Sequence, residues 1–368
     1  MTKFTFTRRA TLVFGALASA SALSLASPAS AQDVSFEGET IEFVVPFAAG
    51  GGSDTWARFL APFLREHLPG NPSVQVVNEP GGGSTAGANL FTARARPDGL
   101  TILGTSGSTQ FPYLLGDPRV RYEYADWNVV VATPTGGVVY TTPNTGVESA
   151  DEIAELEGQE LVYASQGATS LDLVPLLGFR LMNLDVRHVF GFQGRGDGRL
   201  AFERNEVNID YQTSSGYLQN VMPLVEEGSA VPLFSWGALD DEGNIVRDPT
   251  FPDLPSYVEA YEMLNGQPPS GSEFEAYKAF FIAGFPAQKM VFLPEGTDEG
   301  IIDTYRQAFE DIQNDPDFQE QKGATIGDYQ LATGDSAQNL YERGTRVSQE
   351  VRQSVVDLLT SEYNVSLD

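Results

Sequence analysis

Three segments of this chain combine glycine with hydroxyl residues in a way that leaves backbone amides free for a ligand. They are Phe47-Ala48-Ala49-Gly50-Gly51-Gly52-Ser53, Gly104-Thr105-Ser106-Gly107-Ser108-Thr109 and Ser165-Gln166-Gly167-Ala168-Thr169-Ser170. Glycine permits close approach to the main chain, and amides at a helix start, aided by the aligned dipole, favour an anion. Hydroxyls add donors without adding charge. The chemistry this suits is capture of a small organic anion, a carboxylate above all. The candidate contacts are Phe47, Ala49, Gly51 and Ser53 in the first loop and Thr105, Ser106 and Ser108 in the second. Ser165, Gln166, Gly167 and Thr169 are those of the third. Phe47, Phe192 and Tyr211, near strand ends, are candidates to line an apolar ligand body or to be core. The plain alternative is that glycine-rich turns merely join strands to helices, but three such loops in matching positions favour binding.

Catalytic readings find little support. There is no G-x-S-x-G elbow, no cysteine, and the two histidines, His67 and His188, are far apart in sequence, which makes neither a triad nor a metal site. His188 lies in a strand-like run and reads as packed core, whereas His67 reads as a helix C-terminal residue. Asp54 and Asp197 are the acidic candidates for proton transfer, but helix capping, with Asp54 or Ser53 as N-cap, and solvation explain them more simply. Gly81-Gly82-Gly83-Ser84-Thr85-Ala86 loosely fits a dinucleotide pattern, yet the next strand ends in Gly104-Thr105-Ser106 without an acid for the ribose. The first loop also lacks the Gly-Lys-Ser/Thr ending of a P-loop. No cofactor is expected, and no enzyme activity.

The elements that must position these loops alternate between strand and helix, the pattern of an α/β fold with parallel sheets. Ile41–Val45 reads as a strand, and Trp56, Phe59, Leu60, Phe63 and Leu64 recur at helical spacing behind the first loop. Val74–Val77 and Thr101–Leu103 open further units. A second set has strands expected at Val138–Tyr140, Leu161–Ala164, Val186–Phe190, Val207–Tyr211 and Val231–Phe234. From Gly237 to Ser272 the chain reads as irregular surface with one short helix near Tyr257–Leu264, and the last segment as helical, with Ile301, Ile302, Tyr305, Phe309 and Ile312 on one stripe.

The start of the chain reads as an export leader over residues 1–31. Lys3, Arg8 and Arg9 precede an apolar run from Leu12 to Leu25, and Ala29-Ser30-Ala31 offers a cleavage site. The paired arginines suggest the twin-arginine route. The apolar run is shorter than the roughly 20 residues a bilayer needs. With the three basic leader residues removed, the net charge is (22 − 3) − 50 = −31. A balance so acidic argues against nucleic acid, whose phosphates require a basic face. Length beyond the leader favours two domains.

Ile41 to Arg58, reading IEFVVPFAAGGGSDTWAR, resembles the opening of the Bug-type receptors, the solute-binding components of tripartite tricarboxylate transporters. Val77-Asn-Glu-Pro-Gly-Gly-Gly83, Pro97-Asp-Gly-Leu-Thr101, Tyr163-Ala-Ser-Gln-Gly167, His188-Val-Phe-Gly-Phe-Gln-Gly194 and Leu293-Pro-Glu-Gly-Thr297 follow in the same order. The resemblance implies a two-lobed, type II periplasmic binding fold with a parallel-rich sheet in each lobe. It implies a discontinuous first domain, residues 32–135 and 288–368, around a second, 136–287. It also implies a periplasmic protein that closes on a carboxylate and docks on a permease of one large and one small membrane subunit. The chain departs from the family where a lysine is usual, with Gln193 there and Arg195 just after Gly194, so Gln193 and Arg195 are further candidate contacts, Arg195 either as a bidentate partner for a carboxylate or simply as an exposed arginine at a helix start. A receptor feeding a sensor kinase and a periplasmic cofactor-dependent enzyme are the alternatives.

Overall fold

The computed structural model describes residue 1, residues 34–240 and residues 242–367. Apart from Met1, the leader expected over residues 1–31 lies outside the described residues. The first run of elements is β1 (Thr40–Val45), α1 (Gly52–His67), β2 (Ser73–Asn78), α2 (Thr85–Arg94), β3 (Thr101–Gly104), α3 (Gly107–Leu115) and β4 (Asn128–Thr133). The second begins with β5 (Gly137–Thr141), β6 (Leu161–Ser165), α4 (Leu173–Leu181), β7 (Val186–Phe190), α5 (Arg195–Glu203) and β8 (Ile209–Thr213). It continues through α6 (Ser214–Asn220), α7 (Met222–Glu226), β9 (Val231–Ser235), a hairpin of β10 (Ala238–Leu239) and β11 (Ile245–Val246), α8 (Tyr257–Asn265) and α9 (Ser272–Gly284). The chain closes with β12 (Lys289–Leu293), α10 (Glu299–Gln313), α11 (Pro316–Thr325), α12 (Gly334–Thr345) and α13 (Gln349–Tyr363).

The first lobe is built on a sheet of order β2-β1-β3-β12-β4. β1 is parallel to β2 and β3, and β12 is antiparallel to β3 and β4. Both faces are covered over the centre of the sheet, so β4 and β12 read as near-continuous apolar runs, whereas the edge strand β2 alternates. Phe43, Val45, Val291 and Leu293 face α1 and α10, where Ile302, Tyr305, Phe309 and Ile312 form the buried part of the expected stripe. Val44, Met290 and Phe292 face the other way, toward Phe91, Trp127 and Tyr341.

In the second lobe β5 lies between β8 and β9, antiparallel to both, and β6 pairs in parallel with β7. The five-stranded sheet and the β8-β5-β9 sheet therefore each take one strand that runs against its neighbours, and in each case it is the strand by which the chain arrives from the other lobe. Antiparallel pairing places the start of such a strand beside its partners' ends: Lys289 is paired with Thr133, and Gly137 with Thr213. Both crossovers thus enter at the edge where the strand-end loops lie. Phe111 and Leu115 of α3, and Val355 and Leu359 of α13, join the second lobe's core.

Local departures from the sequence reading have simple causes. Helix α1 begins at Gly52 with Gly51 as its cap, so neither Ser53 nor Asp54 is the N-cap. Asp54 instead sits in the first turn, where its carboxylate accepts the Gly50 amide at 2.9 Å and so folds the loop back on the helix. Strand β8 lies two residues further on than its apolar run suggests and ends at Thr213, because Gln212 and Thr213 are buried polar residues that a hydrophobicity reading passes over. The expected short helix is α8, and the supposedly irregular region before it holds the β10–β11 hairpin.

Candidate functional site

The edge shared by both sheets forms a narrow cleft lined by Phe47, Ala48, Gly51, Gly52, Ser53, Ser106, Ser108, Gln166, Leu171, Gly194, Arg195, Thr213 and Gln288, with only about 20 Å³ of room between its walls. The starts of three helices reach it. Gly51 and Gly194 are the N-caps of α1 and α5 and supply no side-chain cap, so first-turn amides there remain free. Ser106 caps α3, its Oγ accepting from the Ser108 amide at 3.2 Å. No Asp or Glu lines the cleft.

Contacts between the lobes pin the loops. Ser215 Oγ donates to the Gly52 carbonyl at 2.9 Å, and the Leu171 amide donates to Ser108 Oγ at 2.9 Å. Gly52 has no Cβ for good reason, since one built there would lie 2.1 Å from Thr213 Oγ1. Three polar side-chain atoms in the cleft walls are buried without a partner: Gln166 Nε2, Thr213 Oγ1 and Gln288 Oε1. Buried polar atoms are nearly always hydrogen-bonded, so three orphans on residues that line one cleft point to a polar partner there.

The sequence candidates divide sharply. Phe47, Gly51, Ser53, Ser106, Ser108, Gln166 and Arg195 line the cleft. Thr105 does not, for it is fully buried and its hydroxyl is 3.4 Å from both Tyr124 Oη and the Met290 carbonyl. Ser165 is turned inward as well, donating to Asp172 at 3.0 Å and accepting the Gly167 amide at 3.2 Å. Thr169 donates to Asp117 and accepts from Arg119, each at 3.0 Å, and so fastens the third loop to the segment after α3. Ala49 and Gln193 are exposed outside the cleft, and Gly167 is a turn residue at φ +150° that does not line it. Phe192 packs on the second lobe's core, and Tyr211 is fully buried.

Arg195 is the charged candidate. It reaches the cleft wall, but its five N–H groups already meet five acceptor contacts. Nε donates to the Tyr211 carbonyl at 3.3 Å, and Nη1 to the Ala164 carbonyl at 2.7 Å and to Asp172 at 3.1 Å. Nη2 donates to Asp210 and, at 3.3 Å, to the Tyr211 carbonyl. The guanidinium is flanked by the rings of Tyr163 and Tyr211, whose centroids are 4.9 and 4.7 Å away. Burial disfavours its charge, but Asp172 and Asp210 outweigh that and hold its pKa well above the usual value. An arginine so engaged has no fork to offer a carboxylate. It braces the strand ends beneath the third loop.

A cation that the sequence reading missed lies behind the opposite wall. Lys289, the first residue of β12, is 2 % exposed and does not itself line the cleft; among the described residues its Nζ has one hydrogen bond, to the cleft residue Ser53 through Oγ at 3.5 Å. Burial pushes its ammonium down to about 7. Thr213 and Gln288 were also missed, because they enter through β8 and the second crossover rather than through a glycine-rich loop. Of the acidic candidates, Asp54 is bound by Arg58 at 2.9 Å and by Asn78 at 3.0 Å; burial opposes its ionisation, but these partners and the Gly50 amide hold its carboxyl below the usual range. His188 lies among Tyr163, Phe179, Phe190 and Tyr363, and burial lowers it to about 4. Among the described residues no group of three or more His, Asp or Glu is arranged to hold a metal, and no described helix is long and apolar enough to cross a membrane.

No family model matches the chain. It is 32% identical over 285 residues to the protein BugT of Bordetella pertussis, a match covering 76% of this chain and 77% of BugT. Among solved structures it is similar to the periplasmic binding protein BugD, with a TM-score of 0.66 and 20% identity over 88% of this chain and 98% of that one. It is similar also to MatC of Rhodopseudomonas palustris with bound malate, with a TM-score of 0.65 and 22% identity over 87% and 100% of the two chains. The structural likenesses establish the two-lobed fold.

Proposed function

We propose that this chain, which belongs to the Bug family of periplasmic solute-binding receptors, closes its lobes on a small carboxylate and hands it to the two membrane subunits of a tripartite tricarboxylate permease. It is a binding protein and not an enzyme. In this reading residues 1–31 direct export to the periplasm. Residues 32–135 and 288–368 form the first lobe and 136–287 the second; the place of β12 inside the first sheet supports that division, with α3 and α13 leaning on the second lobe. The lobes move about the two crossovers, at 133–137 and 284–289.

The observation that carries the reading is the meeting, in one cleft free of carboxylates, of three helix starts with the unpartnered donors of Gln166 and Thr213. Amides, a carboxamide and a hydroxyl are donors that suit a carboxylate without the desolvation cost of a buried cation. MatC holds malate, so four- to six-carbon dicarboxylates are the first ligands to test. Losing a donor to a charged group costs about 1.5–3 kcal/mol, a tenfold to hundredfold loss of affinity. Calorimetry should show that loss in Gln166→Ala and in Thr213→Val with melting temperatures unchanged, whereas Thr105→Val should leave affinity intact. Wild-type affinity in both cleft variants would defeat the neutral-donor reading.

A further inference from the structure

Lys289 is a buried lysine with no acid to answer it. Among the described residues no carboxylate lies within ion-pair distance of its Nζ, and its sole hydrogen bond is to Ser53 Oγ. Uncompensated buried charge is costly, and a chain of this length could hold a methionine there more cheaply. The position is not arbitrary, however. β12 runs against its neighbours, so Lys289 stands beside Thr133 at the cleft edge of the sheet, one hydrogen bond behind Ser53 and next to Gln288, both of which line the cleft. Gln288 itself is 1 % exposed and has an unpartnered Oε1. The cation that does line the cleft, Arg195, is already matched by two carboxylates.

We propose that Lys289, acting with Ser53, is the counter-ion of the first lobe. It pairs with an acidic group of the ligand, while the neutral donors of the second lobe hold the other end. The proposal rests on the carboxylate reading above and makes it specific: the ligand carries two acidic groups, one for each wall, and replacing the one beside Lys289 by an amide forfeits the charge interaction.

The test uses the full mature chain, with malate, succinate and adipate and their monoamides as probes, measured by calorimetry. Wild type should prefer each diacid to its monoamide. Lys289→Met should lose about a hundredfold on the diacids, the scale for removing one partner of a desolvated charged pair, and only a few-fold on the monoamides. Lys289→Arg should restore part of the preference, and Ser53→Ala should lose less than Lys289→Met. Equal losses on diacid and monoamide, or none, would overturn the assignment while leaving the carboxylate reading in place. Failure of wild type to bind any of the six compounds would overturn both. Because methionine removes a buried charge without removing volume, the variant should melt no lower than wild type, and Lys289→Gln provides a second neutral replacement.

Discussion

Adding one methyl group at Gly52 tests whether the lobes must meet for the ligand to be held. Gly52 opens α1, and its φ lies outside the left-handed region, so alanine is acceptable to the backbone. The new Cβ would stand 2.1 Å from Thr213 Oγ1, 3.0 Å from Ser215 Oγ and 3.4 Å from the Gly216 amide nitrogen. Thr213 can rotate away, but Ser215 is held by its bond to the Gly52 carbonyl and Gly216 presents main chain. Overpacking of this kind costs about 1–3 kcal/mol, which corresponds to roughly a fivefold to 150-fold loss of affinity. The clash exists only while the lobes touch, so it falls on closure and not on the folding of either lobe. Gly52→Ala should therefore melt like wild type without ligand, bind a dicarboxylate more weakly, and compact less in X-ray scattering at saturation. In a double-mutant cycle Thr213→Ala should cost less in the Gly52→Ala background than in wild type, because it removes the nearest colliding atom. Wild-type affinity together with full compaction in Gly52→Ala would refute the reasoning.

Arg195→Met should destabilise the protein by about 3–5 kcal/mol, since Asp172 and Asp210 would be left buried without their cation; a melting temperature within a degree or two of wild type would show that the ion cluster is dispensable. Lys289 imposes a pH slope. Its ammonium is lowered from 10.5 to about 7, so between those values the unfolded chain binds more protons than the folded one and stability rises with pH. Lys289→Met should abolish that rise, as denaturant titrations from neutral to alkaline pH would reveal. His188, lowered from 6.5 to about 4, has the same sign in an acidic window, so stability should decline as pH falls through it, less steeply in His188→Phe.

The three loops were legible because glycine and hydroxyl residues cluster at strand ends, and all three do reach the cleft. Which hydroxyl faces a ligand was not. Thr105 and Ser106 are neighbours of similar polarity, yet one turns toward Tyr124 and the other caps α3 at the cleft wall. Ser165 is claimed by Asp172 and Thr169 by Asp117, partners in other turns that a local pattern does not disclose. Arg195 reaches the cleft but is already engaged, which its local sequence does not disclose, because its acids lie at the start of α4 and within β8, far from it in sequence. Lys289 and Gln288 escaped notice for a topological reason. Only the insertion of β12 against the direction of β3 and β4 brings that stretch to the ligand's edge.

The same insertion orders the birth of the molecule. β3 and β4 do not pair with each other; the strand that joins them is translated only after the whole second lobe has left the ribosome. Until then both present unpaired edges, and the loop to be closed is long, which slows folding through contact order and leaves those edges open to pairing with other chains. A chain that stops short of Lys289 should thus be rich in secondary structure and prone to aggregate, and maturation of the first lobe becomes a late event that waits on the second.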